Sequence, residues 1–414
     1  MVSSQFARDI FTTAFSRFLY VGFGFASGVI LARYLGPEGR GIYAAIMVVP
    51  NIVVSIADCG LRQAATYYIG RQLRSVRDVI STLLFTLIPV AFLGITISWI
   101  AYSVQGFEKY GWGALAIAMS YIPLFIFRSH GVGVGMGLKL ISNINASEGI
   151  YAALNLTLTW LFLVVLDFAL KGALLAITLS LLVQGLILFR MQQGVGKVRI
   201  RYIKGLPTLL FSKGIVYALS LFVIRLLYRI DILILNAFVP KTQIGIYAVA
   251  AGVAELVWHM PSILGSVIMS YSSAASNEAA FSRRNWRLAK LTMPIAILAG
   301  FTLCLVAPII VPAAYGKAYT EVSAIMWYMM PGIVAVVPFK IMRSDLAGRG
   351  LPHVAIYVST GGLIVNVALN FLLIPKHGIR GAALATTVSY ILATVVFTYL
   401  YNCICLRPQK ADAS

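Results

Sequence analysis

GAALATTVS, residues 381–389, repeats GALLAITLS, residues 172–180, with six of nine positions identical. Similarity over nine residues is weak in an apolar chain, but three more pairs occur in the same order. RFLY (17–20) returns as RLLY (225–228), GIYAA (41–45) as GIYAV (245–249), and GMGL (135–138) as GRGL (348–351). Their offsets all lie between 204 and 213 residues. Chance does not place four such pairs in register, so the chain is an internal duplication.

Each copy is too oily to be soluble. The 414 residues are 60% hydrophobic and 11% charged, whereas a soluble chain carries roughly 25% charged residues. The apolar runs are each about twenty residues long, enough for a helix to cross the hydrocarbon core. Loops and charges divide the chain into about twelve spans, near 10–34, 41–61, 78–102, 112–136, 145–167, 172–191, 214–237, 243–271, 288–314, 322–344, 354–374 and 380–404. The expected fold is an all-α polytopic membrane protein with two six-helix lobes. Six spans per copy is an even number, so both copies enter the membrane from the same side, related by a pseudo-two-fold axis along the membrane normal. The expected division is an N-lobe over 1–191, a basic cytoplasmic linker over 192–213 and a C-lobe over 214–414. Duplicated bundles of this kind are the architecture of alternating-access transporters. The N-terminal segment lacks a small-residue cleavage site and reads as a retained first span.

The net charge of +20 is unevenly spread. Arg62, Arg71, Arg74 and Arg77 crowd one connection; Arg190, Lys197, Arg199, Arg201, Lys204 and Lys213 the middle; Arg283, Arg284, Arg287 and Lys290 a third. The intervening loops are poor in basic residues. The positive-inside rule then places both termini in the cytoplasm. It also accounts for the charge as topology and contact with anionic membrane lipids, not nucleic-acid binding. Short loops and thirteen acidic residues argue against a membrane-embedded glycosyltransferase or polymerase.

Against this background IRLLYRIDILIL (224–235) is anomalous. Arg225 and Arg229 lie deep in span seven, where an arginine costs roughly 2.5–3.5 kcal/mol on insertion scales. Helical spacing groups Arg225, Arg229 and Asn236 on one face, with Asp231 roughly opposite. Glu255, His259, Ser262, Ser266 and Ser270 form a stripe in span eight; Asn51, Ser55, Asp58 and Arg62 form one in span two. Aligning the repeats matches Asn51 with Glu255, Ser55 with His259 and Asp58 with Ser262. The arginines point to a water-filled cationic cavity. Glu255 and His259, one turn apart, either exchange a proton as a coupling site or form a satisfied pair; Asp231 either orients an arginine or binds a cation. Arg17 shares a face with Gly24 and Gly28, a smooth surface for a close neighbour.

Other motifs carry less. Cys403 and Cys405 have no partners for a metal site, and no cofactor is called for. The sequons at Asn145 and Asn155 fall within span five. HGVGVGMG (130–137) lacks the strand and lysine of a nucleotide loop and is expected to be a thin, flexible end of span four.

ILARYLGPEGRGIYAAI, the GLRQA segment at 60–64, AGRGLPHVAIY and NVALNFLLIPKHGIRGAALATTVSY resemble polysaccharide and oligosaccharide-lipid flippases. These belong to the MOP exporter superfamily, with multidrug extruders and peptidoglycan-precursor flippases. The resemblance implies a V-shaped pair of lobes around a cationic cavity in a bacterial cytoplasmic membrane. It implies movement of polyprenyl-pyrophosphate-linked sugar repeat units from the cytoplasmic to the periplasmic leaflet, for use by polysaccharide polymerases. Through it Arg17 inherits a phosphate-contact role, and Arg225 inherits the same role only through the internal repeat. It transfers no sodium-site pattern, so the coupling ion, proton or sodium, stays open. A multidrug/cation antiporter of the same superfamily is the alternative. Poverty in carboxylates weighs against it, since pyrophosphate calls for arginine's forked donors.

Overall fold

The computed structural model describes residues 4–106, 110–192, 200–272 and 278–406, with side chains from residue 18 onward except at 266, 267 and 269–271. Lys109, Lys197 and Arg199 lie outside the described residues. So do the side chains of Arg17, Ser266 and Ser270.

Twelve helices follow in chain order: α1 (Ser4–Ala57), α2 (Leu61–Gly70), α3 (Val76–Gln105), α4 (Trp112–Gly137), α5 (Ile141–Trp160), α6 (Ala169–Met191), α7 (Leu206–Phe238), α8 (Lys241–Ala254), α9 (His259–Ser272), α10 (Glu278–Tyr315), α11 (Val322–Gly348) and α12 (Pro352–Tyr401). Among the described residues no strand occurs, and nine helical stretches are long and apolar enough to span a membrane. Two of the nine hold two spans each. Gly36 breaks α1 with φ 65°, because a residue before proline, here Pro37, is pushed out of the helical region. Gly378 breaks α12 with φ 55°, three residues after Pro375. Counting those breaks, and adding the charged helix α7, gives twelve spans. This is the all-helical, multi-pass membrane fold expected from the sequence.

α8 and α9 form one span interrupted by a 3-10 turn at Glu255–Trp258. Pro261 has no N–H to give the carbonyl of Val257 and its ring crowds that turn, so the ladder tightens just before it. α2 is not a span. It is a short helix on the connection after span two, burying Leu61, Ala64, Ala65 and Ile69, and it packs on α4.

The chain divides into two compact units, residues 1–222 and 223–414, with the division inside α7. In the first unit α4 packs against α6, α2 and α3, while α1 packs against α5. In the second, α11 packs against α8, α9, α10 and α12 and buries residues along its whole length. Each unit therefore wraps around one helix, the fourth span of its copy. Leu291, Ile295, Leu298, Phe301 and Ile309 on α10 and Ile88, Phe92 and Ile100 on α3 remain exposed. Apolar bands of that size are covered by lipid in a membrane protein.

The glycines of HGVGVGMG form a packing face and not a loose end. The run stays helical to Gly137. A Cβ on Gly133 would lie 2.6 Å from the Arg62 carbonyl oxygen, and one on Gly137 would lie 2.7 Å from Ile69 Cβ. Only hydrogen there lets α2 settle on α4.

Candidate functional site

The anomaly on α7 is solved inside the second unit. Arg229 donates two parallel hydrogen bonds of 2.8 Å to the carboxylate oxygens of Glu255, with side-chain exposures of 35% and 21%. This forked pair uses the guanidinium's geometry fully. Glu255 is thereby engaged by α7, and half-buried His259 begins α9 one turn further on. Asp231 accepts hydrogen bonds from the Ile232 N–H at 2.8 Å and from the Tyr247 hydroxyl, with Thr386 Oγ1 at 3.5 Å. Asp231 thus ties α7 to α8 and α12. Asn236, near the end of α7, accepts a hydrogen bond from Lys241. Arg225 sits one turn before Arg229 and is half-buried.

Two further cations complete this cluster, and neither was singled out from the sequence. Lys340 Nζ lies 4.3 Å from the ring centre of Trp258 and 5.3 Å from that of Tyr228. Arg229, Glu255 and Arg343 are all within its electrostatic range. Arg343 is one turn along on the same face of α11. Among the described residues neither has a carboxylate within ion-pair distance, and Arg343 Nε is enclosed without a hydrogen-bond partner. Tyr228, Trp258 and Tyr390 pack together beneath them, with ring centres 4.9–6.0 Å apart, and the Trp258 indole donates to the Ile333 carbonyl at 2.8 Å. Lys340 therefore stands on an aromatic floor. Lys340 lies about 12 Å from the end of α11 and Arg229 about 13 Å from the end of α7, at 1.5 Å per residue. Neither is at a helix end.

The first unit answers the same positions with different chemistry. Asn51 donates to the Met47 carbonyl at 2.7 Å and accepts from the Tyr121 hydroxyl at 3.1 Å, a neutral contact where the other copy has Glu255. Asp58 faces His130 of α4 at 3.0 Å. The stripe expected to run from Asn51 to Arg62 stops at Asp58. α1 ends at Ala57, Gly60 takes φ 69°, and Arg62 begins a new helix in another direction, with Nη2 3.9 Å from Met136 Sδ. Arg128 on α4 was also passed over. It bonds Gln184 at 2.8 Å and pairs with Glu148 at 3.4 Å.

A second buried network closes one end of the second unit. Asp345 is fully enclosed and accepts from Ser272 and Tyr401 at 2.6 Å each and from Ser282. Arg349 lies 3.4 Å from it. Arg349 also bonds Ser282 and the Glu278 carbonyl.

The sequence matches the polysaccharide biosynthesis protein family over residues 30–324. It is 23% identical over 403 residues to a protein of Haloferax volcanii named probable low-salt glycan biosynthesis flippase Agl15, covering 94% of this chain and 82% of that one. The fold is similar to that of the lipid II flippase MurJ in an inward closed conformation, at TM-score 0.75 and 16% identity, covering 95% of this chain and 87% of that one. It is also similar to an inward-facing multidrug resistance MATE family transporter of the MOP superfamily, at TM-score 0.74 and 17% identity, covering 94% of both chains. These likenesses show a shared fold, and the family match extends over more than half of the sequence: the chain belongs to the polysaccharide biosynthesis protein family.

Proposed function

We propose that the protein flips polyprenyl-pyrophosphate-linked oligosaccharide repeat units from the cytoplasmic to the periplasmic leaflet by alternating access. It does so in a bacterial cytoplasmic membrane, with both termini inside, and passes its product to a polysaccharide polymerase. The step is transport, with no bond made or broken in the sugar. One observation carries the reading: among the described residues Lys340, well inside α11, and Arg343 one turn on have no carboxylate within ion-pair distance, beside an Arg229 that has one. Unneutralised cations at that depth are costly unless an anion visits them.

A pyrophosphate headgroup supplies that anion. Lys340 and Arg343 attract it, and Arg225 adds phosphate donors through its repeat match to Arg17, the residue to which the family resemblance gives a phosphate contact. Arg229 exchanges its bond to Glu255 for one to the headgroup, so the empty site keeps its arginine oriented and the loaded site uses the same fork. Asn236 contributes a neutral donor near the end of α7. Asp231, Glu255 and His259 in one unit and Asn51 and Asp58 in the other are the polar groups through which a coupling ion, proton or sodium, would act. The multidrug/cation antiporter reading needs Glu255 available to a cationic drug, and Arg229 already holds both its oxygens.

Deleting the gene in its native host tests the reading. Lipid-linked repeat units should accumulate on the cytoplasmic side and surface glycan should disappear, with rescue by the wild-type gene and not by Lys340→Gln/Arg343→Gln. Unchanged surface glycan with altered drug sensitivity would overturn the reading in favour of the antiporter.

A further inference from the structure

We propose that the first unit carries a carbohydrate-binding subsite, a face of tyrosines and amides on α1, α4 and α5 that takes the glycan end of the lipid-linked substrate. The subsite deepens the transport reading above and rests on it.

Three helical stripes build the face. On α4, Tyr121, Phe125 and Arg128 recur at the spacing of one helix face; Glu148, Tyr151 and Asn155 do so on α5, and Tyr43 and Asn51 on the second half of α1. Contacts between the helices turn these stripes toward one another. The Tyr121 hydroxyl donates to Asn51 at 3.1 Å, Tyr20 of α1 stacks on Tyr151 with ring centres 6.2 Å apart, and Arg128 pairs with Glu148 at 3.4 Å. Each of the three helix pairs is thus bridged. Tyr43, Tyr121 and Arg128 all lie within electrostatic range of Tyr151. Tyr121 sits about 14 Å from the start of α4 and Arg128 about 14 Å from its end, at 1.5 Å per residue. The face is therefore at mid-depth.

Lipid is a poor cover for it. On α3 the same unit exposes Ile88, Phe92 and Ile100, whereas here Tyr43, Tyr151 and Asn155 are half-buried with polar ends. Among the described residues the Tyr43 and Tyr151 hydroxyls and the Asn155 amide make no hydrogen bond, and none of these polar atoms is enclosed. Polar groups without partners are costly in hydrocarbon, so this face borders water when empty and a polar ligand when filled.

The charges cancel. Arg128 is held by Glu148 and by the Gln184 side chain at 2.8 Å, so the face offers neither a spare cation for a phosphate nor a spare carboxylate for a cationic drug. What remains is aromatic rings, with Tyr121 stacked on Phe125 at 5.5 Å, beside neutral donors and acceptors. A pyranose has the matching chemistry: an apolar C–H face that packs on aromatic rings and a rim of hydroxyls that both donate and accept. The pyrophosphate end of the substrate matches the charge of Lys340 and Arg343, and the sugar end matches this neutral face.

The test is equilibrium binding to the full-length protein in lipid nanodiscs with two probes: polyprenyl pyrophosphate bearing the host's oligosaccharide, and the same polyprenyl pyrophosphate without sugar. Wild type should bind the glycosylated lipid more tightly, by roughly tenfold or more. Tyr43→Phe/Tyr151→Phe keeps both rings and removes only two hydroxyls without partners, so it should melt at the wild-type temperature. It should weaken binding of the glycosylated lipid by roughly tenfold and leave binding of the bare lipid unchanged. Asn155→Leu should act in the same direction. Equal affinity of wild type for the two probes, wild-type binding of the glycosylated lipid by both variants, or equal weakening of both probes overturns the subsite and leaves the transport reading standing. A wild-type protein that binds neither probe removes the transport reading, and the subsite with it.

Discussion

Arg229 and Glu255 show how a charged residue is kept inside an apolar helix. A lone arginine there would be expelled or neutralised; a forked partner on the neighbouring helix holds it, with both groups partly reachable by water. Glu255→Gln and Arg229→Gln should each lower thermal stability, and the double variant should lose less than their sum, with a coupling of roughly 0.5–3 kcal/mol. Additive losses would mean the pair contributes nothing as a pair. Asp345 is the more extreme case, since it is fully enclosed and serves Ser272, Ser282, Tyr401 and Arg349 together. Asp345→Asn should cost about 3–5 kcal/mol, the range for breaking a buried pair, seen as a large fall in the thermal midpoint. A variant as stable as wild type would show that the serine and tyrosine hydroxyls suffice. The sequence displayed Arg225, Arg229, Asp231 and Glu255 because each interrupts an oily run. It did not display their partners. Periodicity reports which residues share a face of one helix, whereas Arg229–Glu255, Asp58–His130 and Arg128–Glu148 are contacts between helices. Lys340 and Arg128 broke apolar runs in the same way, and the insertion-cost argument applied to α7 would have found them on α11 and α4.

At the level of elements, glycine and proline decide where the spans bend and touch. Gly36 before Pro37 and Gly378 after Pro375 turn two long helices into four spans, which is why twelve could be counted from sequence without seeing the breaks. The 3-10 turn before Pro261 was legible in principle, because Pro261 sits in the middle of span eight. Gly60 could not be read at all, since its need for a bare Cα comes from a distant residue, Gly214. Gly60→Ala should therefore lower folded yield and thermal stability by more than the roughly 1 kcal/mol usual for losing a positive-φ glycine. Gly361→Ala, with nothing within 4 Å of the added methyl, should be neutral or stabilising by up to about 1 kcal/mol. Equal effects at the two positions would contradict the close approach of the turn to α7.

Across the whole molecule the duplication copied the scaffold and not the chemistry. GIYAA and GIYAV start matching spans, yet Asn51 meets a tyrosine in one unit and Glu255 meets an arginine in the other. The central helices of the two units, α4 and α11, both carry basic residues: Arg128 pairs with Glu148 and His130 faces Asp58, while among the described residues Lys340 and Arg343 have no carboxylate at ion-pair distance. The copy with unmatched charge is the one suited to hold an anion. The most direct measurement is flipping of a polyprenyl-pyrophosphate-linked oligosaccharide by purified protein in proteoliposomes, comparing wild type with Lys340→Gln/Arg343→Gln of equal thermal stability. Loss of two charge-assisted contacts at about 1.5–3 kcal/mol each should reduce the rate by roughly a hundredfold or more, with wild type active. A double variant that flips the lipid at the wild-type rate would contradict the claim that these two residues hold the headgroup.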